Sequence, residues 1–312
     1  MPARTAIVHS PHYACDIGPH VFPVVKFRLL RERLVAGGEV AAGEIREPGP
    51  ASPEDLLRVH TRAYLDDLEA LRVTERTMFS ELPLTAEIVR AYTHAAGGTT
   101  LAAREALARG AGVNLGGGFH HAGPERAEGF CYLNDLAVAA RALQHERRVG
   151  RVAIVDLDVH QGNGTAWIFR GDPGVFTLSI HQENNYPVPK GPSTLDLGLA
   201  DGTGDDEYLA RLDEALERVW AFDPALVLYQ AGADPYHDDL LGGLALSFAG
   251  LAARDRRVLE GCAERGIPSA TTLGGGYARQ LEDTIRIHLA TCRVALEIGA
   301  GARAPGGAGT AP

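Results

Sequence analysis

The sequence predicts a single α/β domain in which a mainly parallel sheet lies between two layers of helices. Short apolar runs rich in β-branched residues alternate along the 312-residue chain with longer amphipathic segments. Strands that alternate with helices in this way form parallel sheets whose two faces are both covered. Because no repeat and no linker interrupts the alternation, we expect one domain over residues 1–298.

Six strands and six helices are predicted from the periodicity of the apolar residues. The strands are expected at residues 5–9, 112–115, 151–156, 175–180, 225–229 and 268–272. The helices are expected at residues 24–35, 86–109, 134–144, 205–220, 247–265 and 278–298. At least one predicted helix lies between every two consecutive strands except those at residues 151–156 and 175–180. The last strand is followed by the helix at residues 278–298.

Local signals define several boundaries. Ser52 followed by Pro53 and two acidic residues is typical of a helix start, because serine caps free N–H groups and proline fits the first helical position. Pro224 ends the helix before it, because the residue ahead of a proline is disfavoured in helical conformation. The last residues, GARAPGGAGTAP, carry no apolar pattern. We therefore expect residues 299–312 to form a disordered tail.

Composition and charge exclude several classes of protein. Hydrophobic residues make up 45 % of the chain, which is enough for a sizeable core, and the net charge is −10. A non-specific nucleic-acid binder would be basic, so no nucleic-acid partner is expected. No membrane span and no signal peptide is recognisable, so no membrane association is expected. The four cysteines form no CxxC motif, which predicts a cytoplasmic protein without disulfides.

The densest chemical signal is the segment DLDVHQGNG, which follows the apolar run VAIV. Asp156, Asp158 and His160 alternate, so they share one face while the chain stays extended. They lie at the carboxyl end of a predicted strand, where open α/β sheets bind ligands. Two carboxylates and an imidazole suit a divalent metal ion such as zinc. The plainer alternative is an Asp-rich turn with solvated side chains.

Three further loops follow predicted strands and carry polar side chains. GGGFHH presents His120 and His121, and its glycines permit the irregular backbone by which adjacent histidines converge on one site. Such a pair can divide the work of base and acid. QAGADP adds the carboxylate of Asp234, and LGGGY adds Tyr277, a donor suited to an oxyanion. The alternatives are a surface histidine pair, an Asp-Pro turn and a tyrosine packed over a turn.

The four loops are expected to meet at one edge of the sheet. Asp158, His160 and Asp234 would then hold a metal ion and leave coordination positions for water and a substrate carbonyl. Together with the histidine pair and the tyrosine, these are the parts of metal-assisted amide hydrolysis. The chain contains no P-loop, no HExxH and no GxSxG motif, so nucleotide-phosphate and serine-hydrolase chemistry are not expected.

The motifs GGGFHHA, GFCYLND, DLDVHQGNGT, QAGADP and GGGY resemble those of the zinc-dependent histone deacetylase family. They occur in the family's order, and the resemblance runs from about residue 5 to about residue 295. DLDVHQGNGT, with GTGDDEYL and LGGLALS, is similar to the class IV branch and its bacterial relatives. The resemblance implies the three-layer αβα arginase-deacetylase fold with about eight strands. It also implies removal of an acyl group, acetyl or longer, from acyl-lysine.

The resemblance further implies a role for each motif residue. The zinc ligands would be Asp158, His160 and Asp234, a set that also accepts Fe²⁺ or Co²⁺. The residues around the reacting bond would be the dyad His120 and His121, with His121 as general base and acid, Asp156 orienting His120, Asn163 beside His121, and Tyr277 polarising the carbonyl. A structural potassium ion would be held by Asp156, Asp158, His160, Ser179 and Ile180. The acyl-lysine channel would be lined by Gly129, Phe130, Tyr186 and Leu241.

Two positions depart from the class I pattern, and other functions remain open. Asn163 stands where class I enzymes have an aspartate, as in class IV, and a neutral partner stabilises imidazolium less. Near the position of the class I rim aspartate lie Glu81 and Leu82, of which only Glu81 has a carboxylate. The nearest alternative is a deacylase of acetylpolyamines or other small acylated amines. A non-catalytic acyl-binding module is a second, and a binuclear manganese ureohydrolase would need further ligands.

Overall fold

The computed structural model describes residues 5–301, and its centre is a parallel sheet. The strands are β1 (Ala6–Val8), β2 (Ala111–Asn114), β3 (Val152–Asp156), β4 (Val175–Gln182), β5 (Leu195–Leu199), β6 (Leu226–Gln230) and β7 (Ser269–Thr272). Their order in the sheet is β1-β2-β7-β6-β3-β4-β5, and every neighbouring pair is parallel. The predicted α/β class is confirmed, with seven strands in the described part of the chain where about eight were expected.

Helices cover both faces of the sheet. They are α1 (Val25–Ala36), α2 (Pro53–Leu57), α3 (Arg62–Glu69), α4 (Ala86–Arg109), α5 (Asp135–His145), α6 (Asn163–Ile168), α7 (Asp205–Ala221), α8 (Phe248–Glu264) and α9 (Leu281–Gly301). One core packs α2 to α5 against the sheet, and the other packs mainly α1 and α7 to α9. This is the three-layer arrangement that the alternating pattern predicts.

The two faces of β3 explain why its sequence is a continuous apolar run. Val152 and Ile154 belong to the core beneath α4 and α5, whereas Ala153 and Val155 belong to the opposite core. A strand buried on both faces has no polar face, so its sequence does not alternate. The same division holds for β6, where Leu228 and Tyr229 point to opposite cores.

The parallel register places the ends of four strands at one edge of the sheet. Asp156, the last residue of β3, is the Cα partner of Ser179 in β4 and of Gln230 in β6. Asn114 and Thr272, the last residues of β2 and β7, are likewise partners. The loops that follow β2, β3, β6 and β7 therefore leave the sheet side by side, as the sequence predicts.

Most predicted elements are present, and three are additional. All six predicted strands lie within a few residues of their expected positions, and Ser52 caps α2 as predicted, accepting from the N–H of Asp55 at 3.1 Å. The additional elements are β5 and the short helices α3 and α6. In β5, the sequence LDLGL carries an aspartate and a glycine and is partly exposed at the sheet edge, so it has little of a buried strand's signature.

The C-terminal helix ends close to the expected domain boundary. Helix α9 continues to Gly301, three residues beyond the expected end of the domain at residue 298. Residues 302–312, which form most of the predicted tail, lie outside the described residues.

The four cysteines are all buried and unpaired. Between residues 5 and 301, no helix is long and apolar enough to cross a membrane.

Candidate active site

His120 and His121 lie side by side in the loop after β2, with ring centroids 4.1 Å apart, and both are buried. The backbone reaches this arrangement through Gly118, whose φ of +83° is open to glycine. Asp135 at the start of α5 holds the loop, because its carboxylate accepts from the N–H groups of Gly118 at 3.0 Å and Phe119 at 2.7 Å. The two adjacent histidines therefore converge on one site, as the glycine-rich motif predicts.

His120 is bonded to a carboxylate. Its Nδ1 lies 2.6 Å from Oδ2 of Asp156, and its Nε2 lies 3.8 Å from Oδ1 of Asp158. Burial lowers the pKa of the imidazole, but the two carboxylates outweigh burial and raise it to about 9. The surroundings of His120 therefore favour its charged form.

His121 has a neutral partner instead. Its Nδ1 lies 2.7 Å from Oδ1 of Asn163, the first residue of α6. Burial, together with the neighbouring His120 and His160, holds the pKa of His121 well below its ordinary value. The pair thus combines one imidazole that favours the cation with one that stays neutral and can accept a proton.

Asp158, His160 and Asp234 form a buried cluster in which one ligand atom of each residue lies within 4.8 Å of the others. His160 Nδ1 is 3.1 Å from Oδ1 of Asp158 and 3.5 Å from Oδ2 of Asp234. Asp158 and His160 follow β3 and Asp234 follows the adjacent β6. The structure therefore brings together the three predicted metal ligands.

The chemistry of this cluster fits a metal ion. Oδ2 of Asp234 is buried and receives no hydrogen bond. Burial and the nearby Asp158 raise the pKa of Asp234 to about 7. Two buried carboxylates, one with an unpaired oxygen, are costly without a neighbouring cation. Two carboxylates and an imidazole nitrogen are a suitable donor set for zinc and similar divalent ions.

Glycines allow the backbone to approach the carboxylates. The N–H of Gly275 donates to Oδ2 of Asp158 at 3.1 Å. A Cβ atom on Gly275 would collide with the carboxylates of Asp158 and Asp234, and a Cβ on Gly232 would lie 2.6 Å from Oδ2 of Asp158. These two motif glycines are required by the close packing around the candidate ligands.

Tyr277 lies in the wall of a cavity that is shared with both histidines of the pair, Asp158 and His160. Its backbone N–H donates to Oδ2 of Asp239 at 2.6 Å. Burial and nearby carboxylates raise the pKa of the phenol well above its ordinary value. The hydroxyl therefore stays protonated at neutral pH and remains a hydrogen-bond donor.

Of the four residues predicted to form the channel, two line the cavity and two lie outside its lining. Gly129 and Phe130 line the cavity, and both have positive φ, of 49° and 62°. The ring of Tyr186 lies 5.0 Å from the ring of His121, edge to face, and this tyrosine is 36 % exposed. Leu241 packs against the same apolar cluster as Phe130 but is not among the residues that line the cavity.

The residues predicted to hold potassium lie on β3, on β4 and in the loop after β3. Asp156 and Ser179 are neighbours in the sheet, and Ile180 follows in β4. Oδ1 of Asp156 accepts from the N–H of Asp158 at 3.2 Å, which draws the ligand loop toward the strand end. With His160, the set offers carboxylate, hydroxyl and backbone oxygens, which are the donors that hard cations prefer.

At the expected rim position the two candidates differ in exposure. Glu81 is exposed and has a φ of 63°. Leu82 is buried, and its carbonyl accepts from the hydroxyl of Tyr132 at 2.7 Å. Only Glu81 therefore presents its side chain to solvent.

Sequence reasoning missed several residues that support the site. Gln230 at the end of β6 donates to Oδ2 of Asp158 at 3.3 Å and to the carbonyl of Gly118 at 2.9 Å. Arg254 on α8 is fully buried and donates to the carbonyls of Leu157 at 3.2 Å and Gly232 at 2.7 Å. The position of Gln230 at a strand end was a usable signal. Arg254, within a run of charged helical residues, has the sequence pattern of a solvated face.

Comparison with known proteins identifies the family. The family model of the histone deacetylase domain matches residues 20–292. An uncharacterized protein of Picosynechococcus sp. is 41 % identical over 295 residues, covering 94 % of this chain and 98 % of its own. Histone deacetylase 2 of Arabidopsis thaliana is 36 % identical over 302 residues, covering 91 % of this chain and 78 % of its own. The crystal structure of the HDA15 HD domain matches with a TM-score of 0.78 at 26 % identity, covering 94 % of this chain and 91 % of that one.

This chain therefore belongs to the histone deacetylase family, as its motifs predict. Membership in this family supports hydrolytic deacylase activity in general. The sequence-based prediction of the fold is confirmed by the same structural match.

Proposed function

We propose that this protein is a zinc-dependent amidohydrolase that removes an acyl group, acetyl or longer, from the side-chain amine of acyl-lysine. The main supporting observation is that one cavity contains both histidines of the pair, Tyr277 and two of the three candidate metal ligands. Membership in the histone deacetylase family supports the same class of reaction. Asn163 in place of an aspartate makes the protein class IV-like.

The metal ligands would be Asp158, His160 and Asp234. Zinc bound there would supply a Lewis acid that polarises the amide carbonyl and lowers the pKa of water. Asp156 would hold His120 and, with Asp158, Ser179 and the backbones of His160 and Ile180, a structural potassium ion.

Side chains of this protein would carry out the proton transfers. Nε2 of His121 accepts a proton from water while the water oxygen attacks the carbonyl carbon. The Tyr277 hydroxyl donates a hydrogen bond to the oxyanion that forms. A protonated histidine of the pair then delivers a proton to the leaving nitrogen, and the C–N bond breaks. The products are a carboxylate and a free amine.

The substrate side chain would reach this point between Phe130 and Tyr186, with Gly129 and Leu241 nearby. Phe130 lines the same cavity as the histidine pair, with its ring 5.9 Å from the Tyr277 ring, and the Tyr186 ring lies 5.0 Å from the ring of His121. Glu81, which is exposed, is the carboxylate that would contact the substrate backbone. A small acylated amine, such as an acetylpolyamine, would use the same cavity without that contact.

Hydrolysis of a matched panel of substrates tests the proposal. Acyl-lysine peptides and acylpolyamines, from acetyl to long-chain, are offered to the zinc-loaded protein and to the His121→Ala variant. We expect hydrolysis of acyl-lysine, with a loss of roughly 10²-fold or more in the variant. Preference for acylpolyamines would replace the substrate assignment with the small-molecule alternative. No hydrolysis of any member, with one zinc bound per chain, would overturn the proposed activity.

A further inference from the structure

The carboxylate of Glu128 is a meeting point for three side chains. Its Oε1 accepts from Nδ2 of Asn163 at 2.6 Å and from the hydroxyl of Tyr186 at 3.0 Å. Its Oε2 pairs with the guanidinium of Arg126 at 2.6 Å, and the Glu128 side chain is only 12 % exposed. A largely buried carboxylate thus connects the partner of His121 to the channel wall.

The backbone holds this carboxylate in a defined place. The N–H of Glu128 donates to the carbonyl of Cys131 at 3.0 Å, and the reverse bond measures 2.9 Å. Gly129 and Phe130, between them, are both in the positive-φ region. The two reciprocal bonds and the tight turn fix the direction in which the Glu128 side chain leaves the loop.

Hydrogen-bond chemistry then sets the orientation of the Asn163 amide. An ionised carboxylate only accepts, so the amide turns its NH₂ group toward Glu128 and its Oδ1 toward His121. The amide oxygen also only accepts, so the proton of His121 lies on Nδ1. A neutral imidazole with its proton on Nδ1 has its lone pair on Nε2.

We infer that Glu128 is a positioning residue, which acts through Asn163 to select the Nδ1–H tautomer of His121 and to keep Nε2 free as the base. The inference rests on the proposed role of His121. Without an acceptor oxygen at position 128, no other side chain between residues 5 and 301 accepts from Nδ2 of Asn163, and the two ends of its amide are no longer distinguished. Rotation of the amide would then present NH₂ to His121 and move the imidazole proton to Nε2, where it blocks proton uptake.

The tautomer of His121 is the direct readout. It is measured by ¹⁵N NMR on the full-length, zinc-loaded protein labelled at histidine, with the His121→Gln spectrum used for assignment. We expect the Nδ1–H form in the wild type and in Glu128→Gln, which keeps an acceptor oxygen in the same place. We expect the Nε2–H form, alone or in a mixture, in Glu128→Ala. Glu125→Ala, an exposed position on the same loop, is the matched control and should retain the Nδ1–H form.

Kinetics separate this role from a purely structural one. Glu128→Ala should lower kcat roughly tenfold or more, a part of the roughly 10²- to 10⁴-fold that general base catalysis contributes, and Glu128→Gln should restore most of it. Tyr186→Phe, which removes only the channel arm of the network, should change KM more than kcat and leave the tautomer unchanged.

An unchanged Nδ1–H tautomer in folded Glu128→Ala would overturn the inference. Glu128→Ser gives the same measurement if the alanine variant does not fold, and the same result there would also overturn it. Because the tautomer is read without turnover, a failed substrate panel and a failed tautomer experiment are distinguishable. The first removes the proposed function, and the second removes only the role of Glu128.

Discussion

Nδ1 of His121 lies 2.7 Å from the amide oxygen of Asn163, so one member of the histidine pair has a neutral partner. Its neighbour His120 is held instead by the carboxylate of Asp156 at 2.6 Å. This difference in partners explains why burial lowers the pKa of His121, whereas two carboxylates raise that of His120. The two histidines are thereby suited to different proton-transfer roles.

Replacing Asn163 with aspartate should move the acidic limb of the pH profile of kcat/KM to higher pH. A carboxylate beside Nδ1 stabilises the imidazolium, so it raises the pKa of His121. A base works only when neutral, so activity is lost as the pH falls through that pKa, and a raised pKa brings the loss at higher pH.

The carboxylate of Glu128 should reduce the pH shift that Asn163→Asp causes. Its Oε1 lies 2.6 Å from Nδ2 of Asn163, so an aspartate there would face a second carboxylate, and the repulsion between them would offset part of the shift. The double variant Asn163→Asp, Glu128→Gln removes this repulsion and should show the larger shift. An acidic limb that stays in place in both variants would refute the assignment of His121 as the base.

Tyr277→Phe should reduce kcat by roughly 10²- to 10³-fold, the cost of losing one oxyanion donor. The burial that raises the pKa of the phenol keeps it protonated, so the lost group is a true donor across neutral pH. Metal content, measured on the same sample, should stay at the wild-type level because the tyrosine is not among the three ligands. Comparable kcat in the variant would exclude a role for the hydroxyl.

Gly275→Ala should weaken metal binding by roughly 10- to 100-fold, the usual effect of disturbing the groups around the ligands. The added Cβ would meet the carboxylates of Asp158 and Asp234, which must move apart. Gly150→Ala is the matched control, since Gly150 is exposed with no atom within 4 Å of the added carbon. Competition with a metal indicator measures both, and equal affinities would contradict the packing argument.

Arg254→Met should destabilise the fold by about 3–5 kcal/mol, the cost of removing one partner of a buried ion pair. The guanidinium donates twice to Oδ1 of Asp255, at 3.0 Å and 2.8 Å, and also holds the carbonyls of Leu157 and Gly232. Because these carbonyls lie in the loops of the metal ligands, metal affinity should fall as well.

The neighbouring Arg256 provides the comparison for that experiment. Its side chain is 44 % exposed and pairs with Glu260 and Glu297 at the surface. Arg256→Ala should cost about 1 kcal/mol or less, as exposed pairs do. Urea unfolding of both variants measures the difference, and similar losses would mean that Arg254 does not tie the two loops together.

The part of the site that was predictable from sequence is the part encoded in contiguous motifs at strand ends. Asp158 and His160 follow a short apolar run that is typical of a doubly buried strand, and parallel strands bring their carboxyl ends to one edge. Asp234 and Tyr277 follow from the same rule once β6 and β7 are recognised. Family resemblance then assigned roles that the spacing alone left open.

The rest depends on tertiary packing that a single sequence does not display. Glu128 and Arg254 are charged residues in charged surroundings along the chain, and such residues are usually solvated. Their burial follows from which surfaces the fold brings against them. Strand β5 was missed because it is only five residues long, has no β-branched or aromatic residue, and lies partly exposed at the sheet edge. Leu241 was assigned to the channel by resemblance alone, and that assignment stays a prediction: its side chain packs against the same apolar cluster as Phe130.

Titration of zinc into the metal-free chain, with acyl-lysine hydrolysis as the readout, tests whether one metal ion at this cluster supports catalysis. We expect the rate to rise linearly and to level off at one ion per chain. Asp234→Asn, which weakens one of the three ligands, should stay inactive at the same zinc concentration. Full hydrolysis by the metal-free chain, or a rate that keeps rising to two ions per chain, would contradict a single metal site formed by Asp158, His160 and Asp234.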